Sequence, residues 1–168
     1  MGATKRRVAR QCRVEATVAA PVTSVWRVIA DVTRTGEWSH ECHDVVWVGR
    51  LSQPAPGVRF RGRNRVGPLR WSRTCEFLAV EPPHRIAWRT VTTPLFVDST
   101  DWTVSLESVP GGTHIVQSYR VTQCPRWWEW IVVRLVPRHM DRTVALAEDL
   151  RRLGAVAAAD HDFASGLR

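Results

Sequence analysis

The residues of this sequence with the greatest potential for chemistry are a few polar side chains that its alternating pattern sets among large apolar ones. An arginine or a tyrosine can stabilise an enolate, and a histidine can move a proton near neutral pH. The candidate catalytic residues are Arg73, Tyr119, His40 and His139. The sequence leaves open which of them would act and whether a ligand is turned over at all.

The segment WSHECHD at residues 38–44 suggests a metal site because it holds two histidines and a cysteine. In a strand, alternate side chains point to opposite faces, so His43 shares a face with Glu41 while Cys42 points the other way. Few ligands would converge, and a second cluster of ligands is not evident in the sequence. We therefore predict neither a metal nor another cofactor, and expect His40 at the rim of a cavity as an acid or base.

Three hairpin turns decide which side chains point inward. Apolar and polar residues alternate from Val45 to Val121, and we centre the turns on Gly67-Pro68, Pro82-Pro83 and 110–112. Each centring puts apolar pairs on one face and opposite charges on the other. The predicted inner pairs are Phe60–Cys75, Val58–Phe77, Asn64–Trp71, Phe77–Trp88, Leu106–Ile115, Val104–Gln117 and Trp102–Tyr119; the outer pairs are Arg59–Glu76, Glu76–Arg89 and Asp101–Arg120.

The inward set mixes aromatic and polar side chains. Most of the set could be ordinary core, but dry and unpaired burial of the polar members would cost several kcal/mol each, which favours a solvated or ligand-filled hollow. The predicted ligand-binding residues are Phe60, Asn64, Trp71, Arg73, Trp88, Trp102, Gln117 and Tyr119 on the strands and Met140 and Thr143 on the last helix.

Arg73 is the predicted recognition cation of this hollow. It lies opposite Gly62, where the missing side chain leaves room, and a guanidinium cannot lose its charge. The preferred partner is a ligand carboxylate, phenolate or enolate. A structural contact with Asp98 or with a backbone carbonyl is the alternative.

The elements that must position these residues follow from periodicity. A first strand at 12–18 precedes two short helices, one through residues 20–29 and one around 33–38. Helical spacing then begins at Arg126 and runs to about Leu153, with a kink expected at Pro137. Between them lie six strands at 43–49, 57–66, 69–80, 84–91, 98–108 and 113–122.

This order predicts an α+β fold in which a curved seven-stranded antiparallel sheet wraps around a long C-terminal helix. We divide the chain into an N-terminal arm at 1–11, a single domain at 12–153 and a C-terminal tail at 154–168.

Four segments carry a family resemblance: APVTSVWRVIADVTRTGEW at 20–38, FLAVEPPHRIAW at 77–88, WTVSLES at 102–108 and GGTHIVQSY at 111–119. They are similar to the START/Bet v 1-like (SRPBCC) superfamily, and within it to the bacterial polyketide cyclase/dehydrase and lipid-transport group. The resemblance covers about residues 12–153. It implies the helix-grip fold and a hydrophobic or aromatic ligand, polyketide-, lipid- or isoprenoid-like, bound between the sheet and the last helix.

The superfamily includes aromatases, cyclases, lipid carriers and hormone receptors, so the resemblance leaves the reaction undecided. A cyclase or dehydrase is one hypothesis, and a non-catalytic lipid or small-molecule carrier is the other.

A third hypothesis comes from the net charge of +8, which is carried almost wholly by arginine. Such a charge suits nucleic acid or an anionic membrane. The arginines are spread through every element, however, and Arg59, Arg61, Arg63 and Arg65 alternate onto the outer face of one strand. We interpret them as a solvated face and disfavour nucleic acid as a partner.

The expected location is the cytoplasm. The four cysteines are scattered without a Cys-x-x-Cys pair, which is typical of reduced thiols. The charged N-terminus is not followed by an apolar run, so no signal peptide or transmembrane segment is predicted. A homodimer is left open.

Overall fold

A computed structural model describes residues 7–166, and its centre is one antiparallel sheet. The seven strands are hydrogen-bonded in the order β1-β7-β6-β5-β4-β3-β2, so the first two strands of the chain form the two edges. The strands are β1 (Gln11–Val18), β2 (Cys42–Val48), β3 (Arg59–Val66), β4 (Leu69–Glu81), β5 (Arg85–Thr90), β6 (Ser99–Val109) and β7 (Gly112–Gln123).

Two helical segments connect β1 to β2, namely α1 (Val22–Ala30) and a 3₁₀ helix (Val32–Glu37). Pro21 precedes α1, where its fixed φ and missing N–H suit the start of a helix. The Asp31 side chain accepts a hydrogen bond from the Thr33 amide and caps the 3₁₀ helix.

The C-terminal helical region is broken rather than kinked. It consists of α2 (Arg126–Leu135), a 3₁₀ helix (Pro137–Met140) and α3 (Thr143–Gly166). The residue before Pro137 has φ −131° and ψ 72°, because the proline ring disfavours helical geometry at the preceding position. The Asp141 carboxylate then accepts a hydrogen bond from the Thr143 amide and starts the new helix.

Helix α3 also ends later than the predicted limit near Leu153. It continues through Gly166, and Ala157, which belongs to the predicted tail, is fully buried. The reason is packing: α3 lies against α1 and β1, and the added turns bury apolar surface there.

The predicted strand register is confirmed in all three hairpins. Phe60 pairs with Cys75 and Trp102 pairs with Tyr119, while Asp101 lies opposite Arg120 on the outer face. The Asp101 carboxylate forms its ion pair with Arg89 of the neighbouring strand instead, at 2.6 Å from Arg89 Nε. A slip of one residue would have buried these charges, which is why alternation alone specified the register.

Candidate functional site

A cavity of about 210 Å³ lies between the concave face of the sheet and the helices. Strands β3 to β7 supply one wall, α1 and its 3₁₀ helix close one end, and residues from Val132 to Asp149 supply the opposite wall. The cavity is larger than the roughly 150 Å³ that suffices for benzene. It therefore suits a ligand of one or two rings.

Aromatic rings cover much of the sheet-side wall. Trp88 and Trp102 are parallel within 5° with centroids 6.2 Å apart, and Trp102 lies 4.8 Å from the ring of Tyr119. These three residues come from β5, β6 and β7 and meet because the register places them side by side. Flat aromatic surfaces of this kind favour an aromatic or apolar ligand.

The structure brings the predicted strand residues together but not the predicted helix residues. All eight predicted strand residues, together with the candidate histidines, line the cavity: Phe60, Asn64, Trp71, Arg73, Trp88, Trp102, Gln117, Tyr119, His40 and His139. Met140 and Thr143 lie outside the wall, and Thr143 is exposed. Their placement assumed one continuous helix, and the break at Pro137 changes the phase of the residues that follow.

Arg73 does point inward, but its partner is Asp98. Arg73 Nη1 lies 3.0 and 2.9 Å from the two carboxylate oxygens, and Nη2 donates to the Asp98 carbonyl oxygen at 2.9 Å. Trp128 Nε1 also donates to Asp98 at 2.8 Å. The structure therefore shows the alternative that the sequence left open, a structural contact between Arg73 and Asp98. The prediction that Arg73 is an unpaired cation for a ligand anion is wrong.

Sequence reasoning named His40 and His139 as candidates but missed the cluster that they form with three charged residues at the helical wall. We call it the histidine–carboxylate cluster, and it consists of His40, Glu41, His139, Arg142 and Asp149. All five line the cavity. Arg142, Leu146 and Asp149 are spaced at i, i+4 and i+7, which places them on one face of the last helix as the sequence predicts it. An acidic residue on this buried face was the sequence signal that could have revealed the cluster.

His40 is held at its backbone and at its ring by one carboxylate. Its amide donates to Asp149 Oδ1 at 2.9 Å, and its Nδ1 lies 2.6 Å from Asp149 Oδ2. Asp149 is almost fully buried on α3, and Arg152 Nη2 approaches it at 3.6 Å. Within residues 7–166 the other ring nitrogen, Nε2, has no hydrogen-bond partner, and its nearest carboxylate oxygen, on Glu41, is 3.9 Å away.

Glu41 is ionised in this environment. Burial opposes the charge, but Arg142 Nη2 at 3.1 Å and the hydrogen bond with His139 Nε2 at 3.0 Å outweigh it and lower the pKa of Glu41 to about 2. The Arg142 guanidinium in turn lies 5.1 Å from the centroid of the Trp102 ring. The cluster thus joins the segment before β2 to α3 and to the aromatic wall.

The hydroxyl of Tyr119 is already engaged. It donates to the carbonyl oxygen of Ala9 at 3.1 Å, and burial raises its pKa, so the phenol stays neutral. Among the candidates for proton transfer, Tyr119 therefore serves as wall, whereas His40 retains a ring nitrogen that is not hydrogen-bonded within the described chain.

Four buried polar atoms of the wall have no hydrogen-bond partner within residues 7–166. They are Gln117 Oε1, Trp38 Nε1 and the Nε atoms of Arg73 and Arg142, and Gln117 and Trp38 are only 3% and 7% exposed. One acceptor and three donors left unpaired at such depth are costly unless a bound molecule satisfies them.

The cysteines of the wall are not reactive nucleophiles. Burial raises the pKa of Cys42 to about 11, that of Cys75 to about 12 and also that of Cys124, so all three remain thiols and act as small apolar groups. A Cβ added to Gly62 would lie 3.0 Å from Cys42 Sγ, so the room beside Gly62 is taken by this sulfur rather than by the Arg73 guanidinium.

The outer surface carries the arginine row as predicted. Arg59 pairs with Glu76 at 2.7 Å and Arg63 with Asp44 at 2.9 Å, and the row is exposed. Within residues 7–166, no helix is both long enough and apolar enough to span a membrane.

Solved structures with the same fold cover nearly the whole chain. Protein NE0264 from Nitrosomonas europaea has a TM-score of 0.66 and 13% identity, with 90% of this chain and 96% of that chain covered. Ara h 8.0201 has a TM-score of 0.58 and 11% identity, covering 89% and 97%. The Polyketide_cyc-like protein Cgl2372 from Corynebacterium glutamicum has a TM-score of 0.55 and 24% identity, covering 88% of each chain.

These likenesses show the Bet v 1-like helix-grip fold that the sequence predicted. No curated protein sequence matches the chain significantly. A family model described as polyketide cyclase/dehydrase and lipid transport matches residues 10–158, which is most of the chain. The chain belongs to the polyketide cyclase/dehydrase and lipid transport family.

Proposed function

We propose that this protein binds a hydrophobic or aromatic small molecule of one or two rings in the cavity between the sheet and the helices. The observation that carries the proposal is a cavity of about 210 Å³ with an aromatic wall and four buried polar atoms that are unpaired within the described residues. Trp71, Trp88 and Trp102 would contact the flat apolar part of the ligand.

The ligand's polar end would meet the unpaired groups. Gln117 Oε1 could accept a hydrogen bond from a ligand hydroxyl, and Trp38 Nε1 could donate one to a ligand oxygen. An arrangement of this kind favours a neutral phenol or ketone over a carboxylate, because the charges of Arg73 and Arg142 are already balanced by Asp98 and Glu41.

Isothermal titration calorimetry with 2-naphthol tests the proposal. Binding should be measurable and should show a negative heat capacity change, because apolar surface is buried. Gln117→Leu should weaken the binding of 2-naphthol about three- to tenfold through loss of a hydrogen bond. The control Ser118→Ala changes the next residue of β7, on the outer face of the sheet, and should leave affinity unchanged. If neither 2-naphthol nor its two-ring analogues gave a measurable heat of binding, the proposal would be contradicted.

Turnover is the second candidate function, and the unpaired His40 Nε2 in the cavity wall is the observation that favours it. A cyclase or dehydrase would release an altered ligand, whereas a carrier would release the same molecule. Native mass spectrometry of protein from its own host identifies a co-purified ligand, and neighbouring ketosynthase genes would favour a cyclase.

Three expectations from the sequence remain predictions. The protein is expected in the cytoplasm, nucleic acid or an anionic membrane is disfavoured as its main partner, and it could form a homodimer. Gel filtration and salt-dependent binding to DNA or to anionic vesicles test the last two.

A further inference from the structure

The His40–Asp149 pair has the geometry of a proton-transfer group rather than that of a plain ion pair. The Asp149 carboxylate accepts hydrogen bonds from both the His40 amide and His40 Nδ1. These two bonds fix the orientation of the ring and place the proton on Nδ1. Nε2 is then left with a lone pair. A histidine oriented in this way by a buried carboxylate is suited to act as a general base and, after it gains a proton, as a general acid.

The surroundings support the charged form that this base would adopt. Glu41 Oε2, held ionised by Arg142 and His139, lies 3.9 Å from Nε2 and would stabilise an imidazolium. Asp149 lies on the other side of the ring, where Arg152 approaches its carboxylate. His40 therefore faces two carboxylates, and each of them is itself close to an arginine.

We infer that His40 exchanges a proton with a carbon next to a carbonyl group of the ligand, with Asp149 as the positioning residue. This inference rests on the proposed function, because the substrate must first enter the cavity. The substrate class is a small aromatic ketone with an acidic C–H bond next to the carbonyl group.

The step balances without any further reactant. The C–H bond breaks, its proton goes to His40 Nε2, and the electron pair moves to the carbonyl oxygen to give an enolate. Trp38 Nε1–H and Arg142 Nε–H are two unpaired donors of the cavity wall that could face this oxygen. Return of a proton from Nε2 to carbon regenerates the ketone, and in D₂O the returned particle is a deuteron.

Deuterium exchange of 2-tetralone, a two-ring ketone, tests the inference. Proton NMR in D₂O follows loss of its α-hydrogens, and quenching of tryptophan fluorescence gives the bound fraction. The wild-type protein should exchange the bound ketone much faster than free imidazole does at equal concentration. His40→Gln should lower the rate about 100-fold, which is the low end of the contribution of a general base.

Two further variants separate the base from its surroundings. His43→Gln is the matched control, since this exposed histidine lies three residues away and outside the cavity wall, and it should keep the wild-type rate. Asp149→Asn should lower the rate at saturating ketone about tenfold or more while the dissociation constant changes less than threefold. A merely structural role for Asp149 would not produce this separation.

The outcomes that overturn the inference are distinct from those that overturn ligand binding. A wild-type protein that binds 2-tetralone but exchanges it no faster than imidazole overturns the inference, whether or not the variants fold. So does an unchanged rate in His40→Gln, including the case in which His139→Gln loses activity and His40→Gln does not. Failure of the ketone to bind at all would count against the proposed function as well.

Discussion

At the scale of the residue, Arg73 shows how one contact changes the expected role of a side chain. Arg73→Met should lower the free energy of unfolding by about 3 kcal/mol, because it leaves the largely buried Asp98 without its cation. Affinity for 2-naphthol and for 2-naphthoate should fall by similar factors. Urea unfolding and calorimetry measure both quantities.

Arg89→Met is the matched control for Arg73. The ion pair between Arg89 and Asp101 is much more exposed, so the free energy of unfolding of the variant should fall by less than about 1 kcal/mol. If Arg73→Met lost affinity for 2-naphthoate only, and its free energy of unfolding were unchanged, the hypothesis of a recognition cation would be restored.

Glu41 makes a pH-dependent contribution to stability. Its pKa is about 2 in the folded protein and 4.5 for a glutamate side chain that is free in water, so the stabilisation is complete above pH 4.5 and is lost as the pH falls toward 2. The difference corresponds to roughly 3 kcal/mol. Urea unfolding at pH 7, 5 and 3 should show a smaller loss of stability on acidification in Glu41→Gln than in the wild type. Parallel curves for the two proteins would contradict this role of Glu41.

The residues of the site divide into those that local pattern could predict and those that it could not. Trp102, Gln117 and Tyr119 follow from alternation, because a strand places every second residue on the same face. The contact between His40 and Asp149 joins positions that are 109 residues apart and depends on how α3 crosses the sheet. No local periodicity carries that information.

At the scale of the element, the close approach of α3 to β1 depends on Gly154. A Cβ at this position would lie 2.3 Å from Val18 Cγ1, so Gly154→Ala should destabilise the protein by about 1–3 kcal/mol despite the better helix propensity of alanine. Thermal unfolding measures the effect. Val18→Ala combined with Gly154→Ala should recover much of the loss.

Gly166→Ala is the matched control, since an added Cβ there meets no described atom within 4 Å. A Gly154→Ala protein as stable as the wild type would contradict the packing of α3 on β1. The approach at Gly154 could not be predicted from the sequence, where Gly154 suggested the end of the helix instead.

The C-terminal region also shows where element prediction failed. Pro137 was recognised, but a proline inside a helical pattern can either kink a helix or end it. The observed break separates α2 from α3 and shifts the inward face from Met140 and Thr143 to Arg142 and Leu146. The strands were predicted to within about two residues because turn residues bound each of them.

At the scale of the whole molecule, the fold is a sheet that curves around a helix without filling all of the space between them. Order of elements and strand register were sufficient to predict this architecture, since each hairpin had only one register that kept charges outside. The volume of the hollow was not predictable, because it depends on how far the helices stand from the sheet.

The central claim is that the hollow is a ligand site of the native protein. The most direct test is fluorescence titration with N-phenyl-1-naphthylamine, a neutral apolar probe, on three proteins under native conditions. They are the wild type, Val121→Phe, which fills the cavity from β7, and Val46→Phe, which places the same side chain on the partly exposed outer face of β2.

We expect the probe to bind the wild type and Val46→Phe at one site with similar affinity and to be displaced by 2-naphthol. Val121→Phe should bind it at least about tenfold more weakly, because the added ring occupies the ligand's space. Equal affinity in all three proteins, or fluorescence that rises only after partial unfolding, would contradict the claim.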